Sequence, residues 1–270
     1  MNGVNYLTLK KHMALLKSIP QEKLLTHFKS FDKVTNGLQK DKFYILAARP
    51  SVGKTTFVTN IAINVNNQRS DGVVLFISLE MTAMEMAKRL KQTKRIIKNP
   101  QNLIFIDLPS LTIEGLEKEI KNFVKENKKI NLIVIDHIQL LNSSRASKNK
   151  EYEKVSYISR SLKVIAQTYN IPILAVSQLS REFEKRTMKA KYEDGEPMLS
   201  DLRDSGTIEQ DADVVAFIWN YIDIDENKKI LKFTIKKNRH GKHANGFIKF
   251  NLKNQTMKEI KLDMEKEEYE

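Results

Sequence analysis

The sequence predicts an α/β fold, a mostly parallel central sheet flanked by helices, with added antiparallel strands near the C-terminus. Three observations lead there. Short, predominantly apolar runs at residues 43–47, 73–78, 103–107, 132–136 and 171–177 alternate with longer amphipathic stretches, the βαβ rhythm of strands buried on both faces. After Asp213 the rhythm changes to runs at residues 214–220, 231–237 and 246–251, divided by a turn-like stretch (223–229) and a basic loop (239–245), which reads as antiparallel addition. With 270 residues and 41% hydrophobic content, the chain is long and apolar enough for one large core, and no internal repeat or composition break marks a second.

From the start of the chain, residues 6–19 place Leu7, Leu9, Met13, Leu15 and Leu16 among Lys10, Lys11 and Lys17, a helical periodicity that stops before Pro20. This segment reads either as an arm that docks on a neighbouring subunit or as a helix folded back on its own core. Residues 1–30 are accordingly assigned to a linker or docking helix, 31–260 to the main domain and 261–270 to an acidic, frayed tail. Two polar, charge-mixed segments, 142–150 and 182–196, follow strand ends and are expected to be mobile or exposed.

Forty-six Lys and Arg against 33 Asp and Glu give a net charge of +13, which favours polyanionic partners such as nucleic acid or nucleotide. A merely solvated basic surface would give the same count. The absence of cysteine removes disulfides, thiolate zinc sites and a cysteine nucleophile. No apolar run is long enough to span a bilayer, and the first eleven residues lack the apolar core of a signal peptide, so the expected location is the cytoplasm, without a membrane partner.

The chemistry concentrates in residues 47–56, Ala-Ala-Arg-Pro-Ser-Val-Gly-Lys-Thr-Thr, between the first buried strand and the apolar-periodic run 57–65. That is the strand–loop–helix context of a P-loop. Backbone N–H groups across Ser51, Val52, Gly53, Lys54, Thr55 and Thr56 would wrap phosphates, the Lys54 ammonium would reach the β- and γ-phosphates, and the Thr55 hydroxyl would ligate Mg²⁺. The usual first glycine is replaced by Ala48, and the plainer alternative is an ordinary strand-to-helix turn. Asp136 ends the apolar run 132–136, where a P-loop enzyme holds Mg²⁺ through water; a turn-capping aspartate is the alternative. Glu80 stands just beyond the run 73–78, and a strand neighbouring the P-loop strand would bring it to the γ-phosphate side as the base that orients water. Otherwise it is a helix N-terminal acid. Gln178 follows the run 171–177 and is read as a γ-phosphate sensor or as a hydrogen-bonded strand end.

Five segments now stand in order: residues 47–57, Ser78-Leu79-Glu80-Met81, Leu-Ile-Val-Ile-Asp-His-Ile-Gln-Leu-Leu at 132–141, Ser-Gln-Leu-Ser-Arg at 177–181, and Asp-Leu-Arg-Asp-Ser-Gly-Thr-Ile-Glu-Gln-Asp-Ala-Asp at 201–213. Together they resemble the successive motifs of the DnaB-type replicative DNA helicases, over roughly residues 31–253, and that family often carries alanine at the position of Ala48. The resemblance implies a RecA-like ATPase domain that binds ATP and Mg²⁺ and moves on single-stranded DNA with 5′-to-3′ polarity, as a ring, with a homo-hexamer the expected assembly. It implies that Lys54 and Thr55 bind phosphate and Mg²⁺, that Glu80 is the catalytic carboxylate, that Asp136 is the Mg²⁺-linked acid and that Gln178 couples the γ-phosphate to DNA loops. Lys237-Asn238-Arg239 resembles an element whose basic residues reach the adjacent subunit's nucleotide, which makes Arg239 the arginine-finger candidate; a surface basic loop is the alternative. Arg89 matches an arginine near the ATP site. Residues 201–206 resemble a channel loop in which Arg203 pairs with phosphate, Asp204 orients Arg203 and Gly206 lets the backbone approach.

The sequence also departs from that pattern. It shows no counterpart of the helical domain that precedes the linker in replicative members. The interval from Met81 to Leu103 is short, and His137 stands where tyrosine is usual. Those departures motivate a second expectation, a non-translocating ATP-binding regulator that docks on a host replicative helicase. A helicase, a loader or primase are therefore the further expected partners.

Overall fold

A computed structural model describes residues 8–9, 23–145, 151–180, 183, 195–202 and 205–262. The segments expected to be a docking helix (6–19, apart from Thr8 and Leu9) and an acidic tail (261–270, apart from Lys261 and Leu262) lie outside the described residues, as do most of 182–196 and residues 146–150.

Among the described residues, nine strands form one sheet in the order β3–β2–β4–β5–β1–β6–β7–β8–β9. β1 (Phe43–Ala48), β2 (Val73–Ser78), β3 (Leu103–Ile106), β4 (Ile130–Asp136), β5 (Ile173–Gln178) and β6 (Val214–Asp225) run parallel; β7 (Lys228–Asn238), β8 (Ala244–Asn251) and β9 (Thr256–Ile260) add on antiparallel. The β1, β2 and β4 runs are buried throughout because helices cover both faces of this half.

Alternation within each strand divides two cores. Phe43, Ile45 and Ala47 of β1, with Ile133 and Ile135 of β4, face the side covered by α4 (Ile113–Lys125) and α5 (Glu151–Tyr169) through Leu116, Ile120, Ile158 and Leu162. Tyr44, Leu46 and Ala48, with Leu132 and Val134, face the side covered by α1 (Lys29–Thr35), α2 (Lys54–Gln68) and α3 (Ala83–Gln92) through Phe31, Phe57, Ile61 and Met86. α2 is buried along most of its fifteen residues, since β9 and the segment before α1 also pack on it; Phe28 stacks on Phe57 with ring centroids 4.3 Å apart.

One buried ion pair ties the amino edge of the sheet together. Lys163 Nζ of α5 lies 2.6 Å from Asp213 Oδ2, which also accepts a bond from Phe43 N at 2.8 Å. A single carboxylate thereby clamps the starts of β1 and β6 to α5.

Several boundaries differ from the sequence expectation. β6 runs on to Asp225 and β7 begins at Lys228, so the turn shrinks to Glu226 and Asn227. The distal half of β6 is exposed or half-buried and held by pairing with β7, so it carries no apolar run to read. β9 went unread because it buries chiefly Met257. β5 starts at Ile173 rather than Ile171, and Ile173 N bonds to Lys42 O at 3.0 Å; the intervening Pro172 has no N–H to offer.

Candidate nucleotide site

The parallel strands deliver their carboxyl ends to one edge, and the chemistry-bearing side chains gather there. Between β1 and α2 the backbone passes through positive φ at Ser51 (63°) and Gly53 (116°), which turns the loop back over the start of the helix. Space is tight at Gly53 as well: an added Cβ would sit 2.7 Å from Met257 Cε and 2.8 Å from Phe250 Cε1, so those side chains would have to shift. The antiparallel strands thus brace the loop from behind. Below it, the N–H groups of Lys54, Thr55 and Thr56 begin α2 without intrahelical acceptors, as the first turn of any helix must. They form a donor cradle at the positive end of a fifteen-residue dipole.

The side chains of the loop are engaged unevenly. Lys54 is 8% exposed and donates from Nζ to Arg49 O at 2.9 Å, closing the loop around itself. Burial lowers its pKa, while Asp136 and Glu80 act against that shift. The Thr55 hydroxyl lies beside Asp136 and favours its ionised form. Thr56, which the sequence reading groups with the phosphate binders, turns its hydroxyl to Gln255 Oε1 at 2.8 Å in the β8–β9 turn, so only its N–H remains for a phosphate. Val52 is buried beneath the loop, and Ser51 is exposed at its rim.

Asp136 ends β4 and is 3% exposed. Burial pushes its carboxyl pKa up, against the Thr55 hydroxyl, the His137 ring and Lys54. Among the described residues its Oδ1 has no hydrogen-bond partner. A buried carboxylate oxygen without a donor, beside a threonine hydroxyl at the mouth of a phosphate cradle, is the donor set a hard cation takes. The residues present therefore fit Mg²⁺.

Glu80 arrives by a route the sequence did not predict. β2 is not beside β1: β4 and β5 lie between them. Ser78 pairs in register with Asp136, and the chain beyond β2 carries Glu80 over the end of β4. There its Oε2 lies 3.6 Å from His137 Nδ1, with a side chain 62% exposed. Arg89 on α3 is half-buried, its pKa lowered by burial and opposed by Asp136 and Glu80, so the structure does bring it to the site. Gln178, in register with Ala48 at the loop's root, places Nε2 3.2 Å from His137 Nε2. His137 belongs to none of the sequence-predicted site residues; its one sequence signal is its departure from tyrosine.

Immediately past Gln178, Leu179 forms a bridge to Leu202, and Ser180 N donates to Asp201 O at 2.7 Å. The start of the 201–206 segment is thereby joined to the sensor position. Arg203 and Asp204 lie outside the described residues. Gly206 is exposed, and an added Cβ would meet only Tyr152 Oη at 3.5 Å, an ordinary contact; nothing among the described residues demands glycine there.

Lys237 and Arg239 are elsewhere altogether. Asn238 pairs with Val214, which pairs with Tyr44 at the start of β1, so both cations sit at the amino edge. A six-residue strand separates them from the loop by roughly 20 Å at about 3.3 Å per residue. There Arg239 donates to Gln210 O at 2.6 Å, with its guanidinium 3.7 Å from Asp213, and Lys237 Nζ donates to Glu209 O. Both therefore hold the last carbonyls of α6 (Ser205–Asp211), a favourable place for cations.

Comparisons with known proteins agree with this geometry. The family model described as the DnaB-like helicase C terminal domain matches residues 24–102 and 91–259. The replicative DNA helicase DnaB of Geobacillus stearothermophilus is 39% identical over 244 residues, covering 80% of this chain and 52% of that protein. The replicative DNA helicase DnaC of Bacillus subtilis is 38% identical over 244 residues, with the same coverage of 80% and 52%. The chain thus spans about half the length of the curated relatives it matches. Among solved structures, a chain that is itself an isolated ATPase domain superposes with a TM-score of 0.79 at 28% identity, covering 94% of this chain and 97% of that one. A DnaB-like replicative helicase, solved with a view to its interactions with primase, gives a TM-score of 0.79 at 27% identity, covering 94% and 68%. Among the described residues no helix is long and apolar enough to cross a membrane. With a nucleotide cradle at one edge of a RecA-like sheet and this likeness along most of its length, the chain belongs to the DnaB-type replicative helicase family, as its C-terminal ATPase domain.

Proposed function

We propose that the chain is an ATP-driven motor that translocates on single-stranded DNA as a ring, with hydrolysis at the interfaces between subunits. The observation that carries this is the separation of its cations. Lys54, Glu80, Asp136 and Gln178 converge at the carboxyl edge, while Lys237 and Arg239 lie a strand length away at the amino edge and cannot reach their own chain's nucleotide. A second copy, set edge to edge, supplies what each site lacks.

In that arrangement the cradle of N–H groups and Lys54 hold the β- and γ-phosphates, and Glu80 orients the attacking water. Arg239 of a neighbouring copy faces the charge that develops on the transferred phosphoryl. Thr55 and Asp136 are the residues that would hold Mg²⁺, which would supply neutralisation of phosphate charge. The Leu179–Leu202 bridge and the Ser180–Asp201 hydrogen bond give Gln178 a short path to the segment bearing Arg203 and Asp204, which is read as the DNA-tracking loop. Backbone tracking of this kind is nearly sequence-independent and strongly weakened by salt. The 5′-to-3′ polarity and the hexamer implied by the sequence resemblance complete the proposal.

The test is ATP hydrolysis with and without single-stranded DNA, at low and moderate salt, for the wild type, Glu80→Gln and Arg239→Ala. DNA-stimulated turnover that both changes abolish supports the motor. Turnover indifferent to DNA sinks it and favours the regulator that docks on another helicase.

A further inference from the structure

We propose that His137 is a positioning residue that locks Glu80 and Gln178 into one unit, so that the carboxylate orienting water and the amide reading the γ-phosphate move together. The role deepens the ATPase reading above and rests on Glu80 being that carboxylate. The ring is 6% exposed and faces Glu80 with Nδ1 and Gln178 with Nε2. These two contacts make it the link between the two side chains.

Hydrogen-bond chemistry fixes the roles. An ionised carboxylate can only accept, so the proton of a neutral ring belongs on Nδ1, pointing at Glu80. Nε2 then offers a lone pair, which is satisfied by one N–H of the Gln178 amide. The amide is left with its second N–H and its carbonyl oxygen for phosphate and water. Orientation is thus passed from one polar group to the next without a charge being moved.

The two contacts differ in length, and the difference is informative. At 3.2 Å the Gln178 contact is at hydrogen-bonding distance, whereas 3.6 Å to Glu80 is longer than a hydrogen bond. Glu80 is the most exposed member of the chain of groups, on a loop rather than a strand, and it is the part that moves. Catalytic hydrogen bonds often tighten only when substrate arrives. Closing that gap pulls Glu80 over the end of β4, and because the ring is shared, the same movement bears on Gln178. From Gln178 it reaches the backbone bridge between Leu179 and Leu202. A residue limited to filling space at this place would have no need of two polar ring edges directed at two candidate site residues.

The experiment compares His137→Phe, which keeps a ring and removes both nitrogens, with His137→Gln, which keeps a donor and an acceptor. Steady-state ATP turnover is measured with and without single-stranded DNA, nucleotide affinity is measured with a fluorescent ATP analogue, and each variant is combined with Gln178→Ala. The expected result is a drop in DNA-stimulated kcat of roughly ten- to a hundredfold for His137→Phe, with KM for ATP and analogue affinity nearly unchanged. His137→Gln recovers most of the rate, and Gln178→Ala adds little to His137→Phe because the two act as one unit. Losses that multiply independently, or a His137→Phe protein that turns over like the wild type beside an inactive Glu80→Gln, overturn the positioning role and leave the ATPase reading intact. A Glu80→Gln protein with wild-type turnover removes both. If His137→Phe does not bind the analogue, the cycle is read with His137→Ala and Gln178→Ala, where additive losses again overturn the role.

Discussion

The two edges of the sheet are built on different principles. At the carboxyl edge, Lys54, Asp136 and His137 are each less than 9% exposed and act on one another electrostatically, with Lys54 Nζ donating to the Arg49 carbonyl inside its own loop. At the amino edge, Lys237 and Arg239 are partly exposed and bonded to backbone carbonyls of α6. Carbonyl bonds of this kind can be exchanged for a better anion, because a neutral acceptor competes weakly with phosphate for a guanidinium. On the proposed reading, the first edge binds within one chain and the second lets go of its own chain to reach another.

The most severe way to break that contrast is to remove the reaching group. Arg239→Ala is expected to lower DNA-stimulated turnover about a thousandfold or more while leaving affinity for an ATP analogue unchanged. Mixing it with Glu80→Gln is the sharper version. If each site takes Glu80 from one chain and Arg239 from the next, two inactive proteins regain measurable turnover on mixing; no recovery despite co-assembly would place both groups in one chain's site. Glu80→Gln alone should cost roughly a hundred- to ten-thousandfold in kcat, with nucleotide still bound, as the cradle and Lys54 are untouched.

Asp213 tests whether the amino edge is only a surface. It takes Lys163 and Phe43 N on one side and lies 3.7 Å from Arg239 on the other. Asp213→Ala would strand a buried ammonium, so thermal or urea denaturation should show a loss of about 3–5 kcal/mol. A loss below about 1 kcal/mol, the range of an exposed pair, would mean that the edge is held by strand pairing alone.

How much of this could be read beforehand follows from where the information lies. The apolar runs gave β1, β2 and β4 nearly to the residue, because a strand buried on both faces must be apolar throughout. Residues 47–56, Asp136, Glu80 and Gln178 were legible as candidates because each stands at or just beyond a strand end and its residue type suits phosphate chemistry. Strand order was not legible: nothing in residues 73–80 says that β4 and β5 intervene before β1, and Glu80 was placed beside the wrong strand. The contact between His137 and two other side chains was equally hidden, being a relation across three segments. So was β9, whose one buried apolar residue, Met257, braces Gly53 from some two hundred positions away.

That bracing supplies the smallest and most local prediction. The antiparallel half of the sheet is not simply an extension, since its last turn reaches back to the nucleotide edge: Gln255 Oε1 accepts from Thr56 Oγ1 at 2.8 Å, and Asn60 Nδ2 donates to Gln255 O at 3.2 Å. Gln255→Ala keeps the backbone contact and leaves the Thr56 hydroxyl, 1% exposed, without its acceptor. The expected cost is about 1–3 kcal/mol of stability, read as a fall in the denaturation midpoint, together with a few-fold weaker binding of an ATP analogue because the first turn of α2 loosens. Thr56→Val removes the hydroxyl and should recover part of that loss in the double variant. If Gln255→Ala changed stability but not nucleotide affinity, the turn would be a structural clasp with no bearing on the cradle, and the division of labour between the two edges would stand without it.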